Sequence, residues 1–166
     1  MARQLWLLRH AEAEPHGTRA DSERRLTERG ERQARLAGAA LARLGVAFEA
    51  VLFSPKIRAR QTAELAAEQW EADERDLLQV HPPLAGGFGL SQARDALAGV
   101  AADGCLLLVG HEPDLSRVIG DLTGGRVDLK KGGLAVVRLE GAGGELAVVM
   151  RPRELALIAD PALRAV

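Results

Sequence analysis

The sequence predicts a three-layer α/β/α sandwich whose mostly parallel sheet carries an antiparallel C-terminal edge. Three observations support this. The short apolar runs Leu5-Trp6-Leu7-Leu8, Ala50-Val51-Leu52-Phe53 and Cys105-Leu106-Leu107-Leu108-Val109 are continuous rather than alternating, as strands buried on both faces require. Segments with apolar residues at helical spacing separate these runs, which is the alternation that builds a parallel sheet. After residue 134 the pattern changes to two strand-like runs around Gly141-Ala142-Gly143-Gly144, a hairpin signature.

In order along the chain, the first apolar run ends in Arg9-His10-Ala11-Glu12. The polar, aperiodic stretch 14–25 follows and is long for a connector, so it is read as a lid or substrate loop. Thr27 is the expected N-cap of a helix with Ala37, Ala40, Leu41 and Leu44 on one face and Gly45 as its stop. The second run ends at Ser54-Pro55, and a helix follows with Ala59, Ala63, Ala66 and Trp70 on one face. Residues 71–76 read as a charged, solvated linker, and 77–81 as a short strand stopped by Pro82-Pro83. Gly86 to Gly89 form a loop, and Ser91 is placed as the cap of a helix bearing Ala93, Leu97, Val100 and Ala101. The strand at 105–109 leads through Gly110-His111-Glu112 into a helix with Pro113 near its start and Gly124-Gly125 at its end. Residues 154–166 are expected to form a short helix or a tail.

With 166 residues, 47% of them hydrophobic, the chain suits one domain spanning 1–166. Lys+Arg 22 against Asp+Glu 23, a net charge of -1, argues against nucleic-acid or membrane-surface partners. No apolar run approaches the roughly 20 residues of a membrane span. The single cysteine, Cys105, excludes an internal disulfide and a cysteine-rich metal site, and is read as a buried structural thiol. No signal-peptide pattern precedes the first strand, so a cytoplasmic setting is expected.

Three of the predicted strands end in groups suited to phosphate chemistry: Arg9-His10, the segment from Ser54 through Arg58, and His111. Parallel strands place such ends on one edge of a sheet, where ligands bind. The helix beginning near Pro113 is expected to aim unpaired N–H groups at the same edge. Neutral imidazole is a nucleophile near pH 7, and arginine supplies a fixed anion-binding fork. His10 is therefore the expected nucleophile, with Arg9, Arg58 and His111 binding phosphoryl oxygens and the arginines keeping His10 neutral. Glu12, Ser54 and His16 are further candidate substrate contacts, the last on the polar loop. His81 reads as structural or exposed, and Lys130-Lys131 as a solvated turn near the pocket. No cofactor and no metal are implied, since His10, Glu12, His111 and Glu112 lack the spacing of a metal-ligand motif.

Leu8-Arg9-His10-Ala11-Glu12, Ser54-Pro55-x-x-Arg58-Ala59-x-Gln61-Thr62-Ala63 and Val109-Gly110-His111-Glu112-Pro113 resemble the three blocks of the histidine phosphatase (phosphoglycerate mutase-like) superfamily. The length and the segment Leu26-Thr27-x-x-Gly30-x-x-Gln33-Ala34 are most similar to its SixA-type phosphohistidine phosphatases. The resemblance covers roughly the whole chain and implies a phosphoglycerate mutase-like fold. It also implies a phosphorylated His10 and a phosphate pocket of Arg9, Arg58 and His111. Ala11 stands where glycine is commoner.

Many members of that superfamily carry a carboxylate proton donor after the third strand, yet 81–92 contains no Asp or Glu. An alkoxide leaving group, with a parent pKa near the roughly 16 of water, needs a general acid. Imidazole, of pKa about 6.5, needs far less help. The expected substrate is therefore a phosphohistidine on a protein, with Glu12, Glu112 or Asp114 as other possible proton sources. The alternatives are a small-molecule phosphomonoesterase on the same scaffold and a non-catalytic phosphate- or phosphoprotein-binding module. A mutase is disfavoured because the chain lacks long insertions that would enclose a phosphoglycerate.

Overall fold

A computed structural model describes residues 2–163. Its strands are β1 (Gln4–Arg9), β2 (Ala50–Phe53), β3 (Leu78–Val80), β4 (Cys105–Gly110), β5 (Leu134–Glu140) and β6 (Gly143–Met150). Its helices are α1 (Glu28–Leu44), α2 (Ile57–Ala67), α3 (Ala72–Arg75), α4 (Leu90–Ala98), α5 (Asp114–Thr123) and α6 (Pro152–Ala159). The six strands form one sheet in the order β3-β2-β4-β1-β5-β6. β1 to β4 run parallel, while β5 and β6 are antiparallel to their neighbours, as the hairpin signal predicts.

Continuous apolar strands make sense once both faces are covered. Leu5 and Leu7 of β1 pack with Ala93 and Leu97 of α4 and Leu115, Val118 and Ile119 of α5. The intervening Trp6 and Leu8 face the other way, against Ala37, Ala40 and Leu41 of α1, Ala59, Ala63 and Ala66 of α2 and Leu155 of α6. Alternate side chains of one strand thus feed two separate cores, and the sheet is the middle of three layers.

The helix ends follow local chemistry. Thr27 Oγ1 accepts the Gly30 amide at 3.1 Å, and Gly45 closes α1 in the left-handed region at φ 67°. Gly124 does the same for α5 at φ 72°. Several expectations need correction. Residues 71–76 are not merely a linker: α3 forms there, with Glu71 and Glu74 side chains capping reciprocally. Ser91 is not a cap but lies inside α4; the preceding Gly89 occupies the cap position, its amide donating to Gln92 Oε1 at 3.0 Å. Val100 and Ala101 lie beyond α4, and Trp70 lies beyond α2 although still buried in the core. Leu44 is exposed, because the last turn of α1 runs past the core. Cys105 is only partly buried, at the mouth of its strand. The end of the chain forms α6, with residues 164–166 of the expected segment outside the described residues.

Candidate active site

Register places the three blocks together. Arg9 of β1 pairs with Gly110 of β4, and Phe53 of β2 pairs with Val109, so His10, His111 and Ser54 all emerge at one edge of adjacent strands. The His10 amide donates to the Gly110 carbonyl at 3.0 Å and the Ser54 amide to the Val109 carbonyl at 3.0 Å, extending the ladder one residue past each end. The imidazole rings of His10 and His111 lie 5.2 Å apart, and both residues are buried.

The tautomer of His10 follows from its partners. Nδ1 lies 2.7 Å from the Ala11 carbonyl, which can only accept, so Nδ1 carries the proton. Arg58 Nε–H donates to His10 Nε2 at 3.3 Å, which requires a lone pair there. Nε2 is therefore an unprotonated nitrogen facing a guanidinium. Burial pushes His10 down to about 3, with the cations Arg58 and Arg9 adding to the effect. Desolvation, rather than the arginines credited on sequence grounds, is the main reason the ring stays neutral.

Arg58 is fixed on every side. Nη1 donates to the backbone carbonyl of Asp21 at 2.6 Å and Nη2 to its carboxylate at 3.3 Å. Asp21 also accepts from Lys56 Nζ at 3.0 Å and from Arg24 at 2.9 Å. The Lys56 and Arg24 contacts, together with Arg58, hold its carboxyl far below the ordinary range. Thr62 Oγ1 donates to the Arg58 carbonyl at 2.7 Å and accepts the Ala11 amide at 3.0 Å, tying α2 to the residue that follows His10. His111 Nε2 lies 2.7 Å from Ser54 Oγ, and burial holds it, too, near 3. Arg9 Nη1 donates to the Leu129 carbonyl at 2.7 Å. Arg9 Nε and His111 Nδ1 are buried without a partner.

The other expected residues differ in role. Glu12 is not directed to the histidines by any bond: its carboxylate accepts from Thr27 Oγ1 at 2.9 Å and Arg29 at 3.2 Å, and its amide donates to Gln33 Oε1 at 3.0 Å. His16 is exposed, 3.8 Å from Asp21. The start of α5 is less open than expected, since Glu112 Oε1 already accepts the Ser116 amide at 3.1 Å. Asp114 accepts the Phe88 amide at 3.1 Å. Burial raises the Glu112 carboxyl above its ordinary value. Among the described residues no group of three or more His, Cys, Asp or Glu is arranged to hold a metal ion, and no helix is long and apolar enough to cross a membrane.

Sequence reasoning missed Asp21, Arg24 and Lys56. The first two lie in the stretch 14–25, where lack of periodicity hid a short helical turn at Asp21–Glu23. Arg24 is buried and paired with Asp21 three residues before it, but nothing in the sequence marks that arginine as buried.

Residues 5–80 match the sequence model of the histidine phosphatase superfamily (branch 1). The chain belongs to that superfamily. An uncharacterized protein of Picosynechococcus sp. is 36% identical over 140 residues, covering 81% of this chain and 84% of its own. The solved structure of the protein histidine phosphatase SixA complexed with tungstate superposes with a TM-score of 0.76 at 28% identity, over 92% of this chain and 99% of that one. A structure from Nakamurella multipartitia, assigned by name to SixA, gives 0.75 at 27%, over 92% and 97%. Within the superfamily the chain is of the SixA type, and its activity class is that of a histidine phosphatase, a hydrolase.

Proposed function

We propose that the chain is a protein phosphohistidine phosphatase that works without a metal ion, through a phosphorylated His10. The observation that carries this reading is the state of His10: Nδ1–H locked on the Ala11 carbonyl, Nε2 unprotonated and met by the Arg58 guanidinium. The Nε2 lone pair attacks phosphorus as the bond to the leaving imidazole breaks, and that imidazole takes up a proton from solvent. Arg58 exchanges its bond to Nε2 for one to a phosphoryl oxygen, while Arg9 Nε and His111 Nδ1 supply the unused donors. Water then attacks phosphorus, loses its proton to solvent, and releases inorganic phosphate and neutral His10. Asp21 holds Arg58 in line through both its carbonyl and its carboxylate. Ser54 orients His111, whereas Glu12 and His16 are assigned no direct substrate contact.

The low basicity of an imidazole leaving group favours a P–N bond. The loop between β3 and α4 buries Leu84 and Phe88 and contributes no carboxylate, and Asp114 is committed to the Phe88 amide. One observation favours a second reading, hydrolysis of a small phosphomonoester: Glu112, raised by burial, is the carboxyl best able to hold a proton for an alkoxide. A cytoplasmic setting belongs to the main reading, and a lone Cys105 that needs no oxidising compartment supports it.

The test is to trap the phosphoenzyme. Mixing the protein with a phosphohistidine peptide and quenching in alkali should leave one acid-labile phosphoryl group per chain. His10→Ala should neither form it nor turn the peptide over. Full turnover by His10→Ala would sink the mechanism. Phosphomonoester turnover far above that of the peptide, lost in Glu112→Gln, would establish the second reading instead.

A further inference from the structure

An open cleft of about 470 Å³ lies beside Arg9 and is lined by six basic side chains, Arg9, Arg29, Lys130, Lys131, Arg151 and Arg153, with Glu12 as its one acid. In a chain of net charge -1 this is a strong local excess of positive charge. Arg29 is partly neutralised by Glu12, Lys130 by Asp128 and Arg151 by Glu154. Lys131 and Arg153 have no carboxylate partner among the described residues. Both are exposed.

The cleft is held in fixed relation to the nucleophile. The Gly132 amide, in a turn at φ 77°, donates to the carbonyls of His10 at 2.9 Å and Arg9 at 3.2 Å. The Arg9 amide returns a bond to the Gly133 carbonyl at 3.0 Å, and its guanidinium reaches the Leu129 carbonyl. The lysines are thus bonded through their turn to the end of β1, and Arg9 belongs both to the cleft and to the phosphoryl site.

The chemistry of the lining narrows the occupant. No aromatic side chain lines the cleft, so it offers no stacking platform for nucleic-acid bases. Its cations stand on separate elements: α1, the turn before β5, and the start of α6. Arg9 is half-buried and the others are exposed. A single phosphate needs convergent donors, whereas cations dispersed along an open wall suit a series of carboxylates. We propose that this cleft docks an acidic segment flanking the phosphorylated residue of a substrate protein. The proposal rests on the phosphohistidine phosphatase reading and supplies its missing partner chemistry.

The experiment compares the full chain with a Lys131→Glu/Arg153→Glu variant. Neither residue is part of the phosphoryl-transfer machinery. Three probes are used: phosphoramidate, a phosphohistidine peptide flanked by Asp and Glu, and one flanked by Ser and Gly. Wild type should prefer the acidic peptide by about tenfold in kcat/KM at low salt, with the preference shrinking as sodium chloride is added. The variant should lose that preference while turning over phosphoramidate and the neutral peptide at the wild-type rate. Equal use of the two peptides by wild type, or a preference unchanged in the variant, would overturn the docking proposal and leave the P–N reading intact. Should none of the three probes be turned over, the P–N reading fails instead. Calorimetric binding of the acidic peptide to His10→Ala, with and without the two charge reversals, then decides docking alone: tighter binding than the neutral peptide, lost on reversal, supports it, and equal binding overturns it.

Discussion

Arg58 shows why a residue's position in the chain is a poor guide to its task. Its side chain leaves a helix face that sequence alone would read as solvated, yet the residue is only 4% exposed and touches both His10 and Asp21. Asp21 is the residue on which that geometry depends. Asp21→Asn keeps the backbone carbonyl that accepts Nη1 but removes the charge that Nη2, Lys56 and Arg24 share. The expected outcome is a fall in kcat of roughly 10- to 100-fold, the scale at which misplaced catalytic groups cost rate. Circular dichroism should report an unchanged fold, and an Asp21→Glu variant should recover part of the loss. Unaltered kcat in Asp21→Asn would remove the positioning role. His10 and His111 were legible in the sequence because each ends an apolar strand. Asp21 was not, because a loop residue's partner lies in another part of the chain.

At the scale of elements, the short motif after the polar loop resolves into separate physical jobs. Leu26 is buried and donates its amide to Gln61 Oε1 at 2.8 Å, Thr27 caps α1, and Gln33 holds the Glu12 amide. Gly30 is there because a Cβ would lie 1.9 Å from the Glu12 carbonyl oxygen. Two turns further on, a Cβ on Gly38 would lie 2.0 Å from the Ala66 carbonyl oxygen, so α1 and α2 approach at backbone contact. Gly38→Ala gains up to about 1 kcal/mol of helix propensity but forces the helices apart. Overpacking of this kind costs about 1–3 kcal/mol, so a net loss in stability is expected, read as a lower urea midpoint with an unchanged m-value. A midpoint at or above wild type would show that the interface yields. Periodicity revealed which face of α1 is buried but not which backbone it meets. α3 escaped notice for the opposite reason: four residues are too few to show a period, and only the spacing of Glu71 and Glu74 marks it.

For the whole molecule, the alternation of strands and helices sufficed to predict the layers, but the strand order was not readable. The site depends on that order, since β2, β4 and β1 must be neighbours for Ser54, His111 and His10 to meet. Gathering two imidazoles in a desolvated place has a global cost in acid. The folded chain holds His10 and His111 near 3, whereas the unfolded chain binds protons at about 6.5. The unfolded state therefore carries more protons between those values, and stability, complete above about pH 6.5, falls as pH drops toward 3. Glu112, raised by burial, acts in the opposite sense over the carboxylate range, as one group against two. The urea midpoint should be lower at pH 5 than at pH 7.5, while the imidazole signals of His10 and His111 stay in their neutral positions in NMR spectra. Titration of either ring near 6.5 would contradict the desolvated site.

In the proposed mechanism, the contact between His10 Nδ1 and the Ala11 carbonyl also sets the regiochemistry of the phosphorylated intermediate. Imidazole can carry a phosphoryl group on either nitrogen, giving two positional isomers that differ in hydrolytic lifetime. With Nδ1 engaged at 2.7 Å by the next residue's own backbone, only Nε2 is open to electrophilic attack. A covalent intermediate formed on this ring is then a single isomer, selected by a main-chain oxygen that any residue at position 11 supplies, so the change from glycine to alanine leaves that selection untouched.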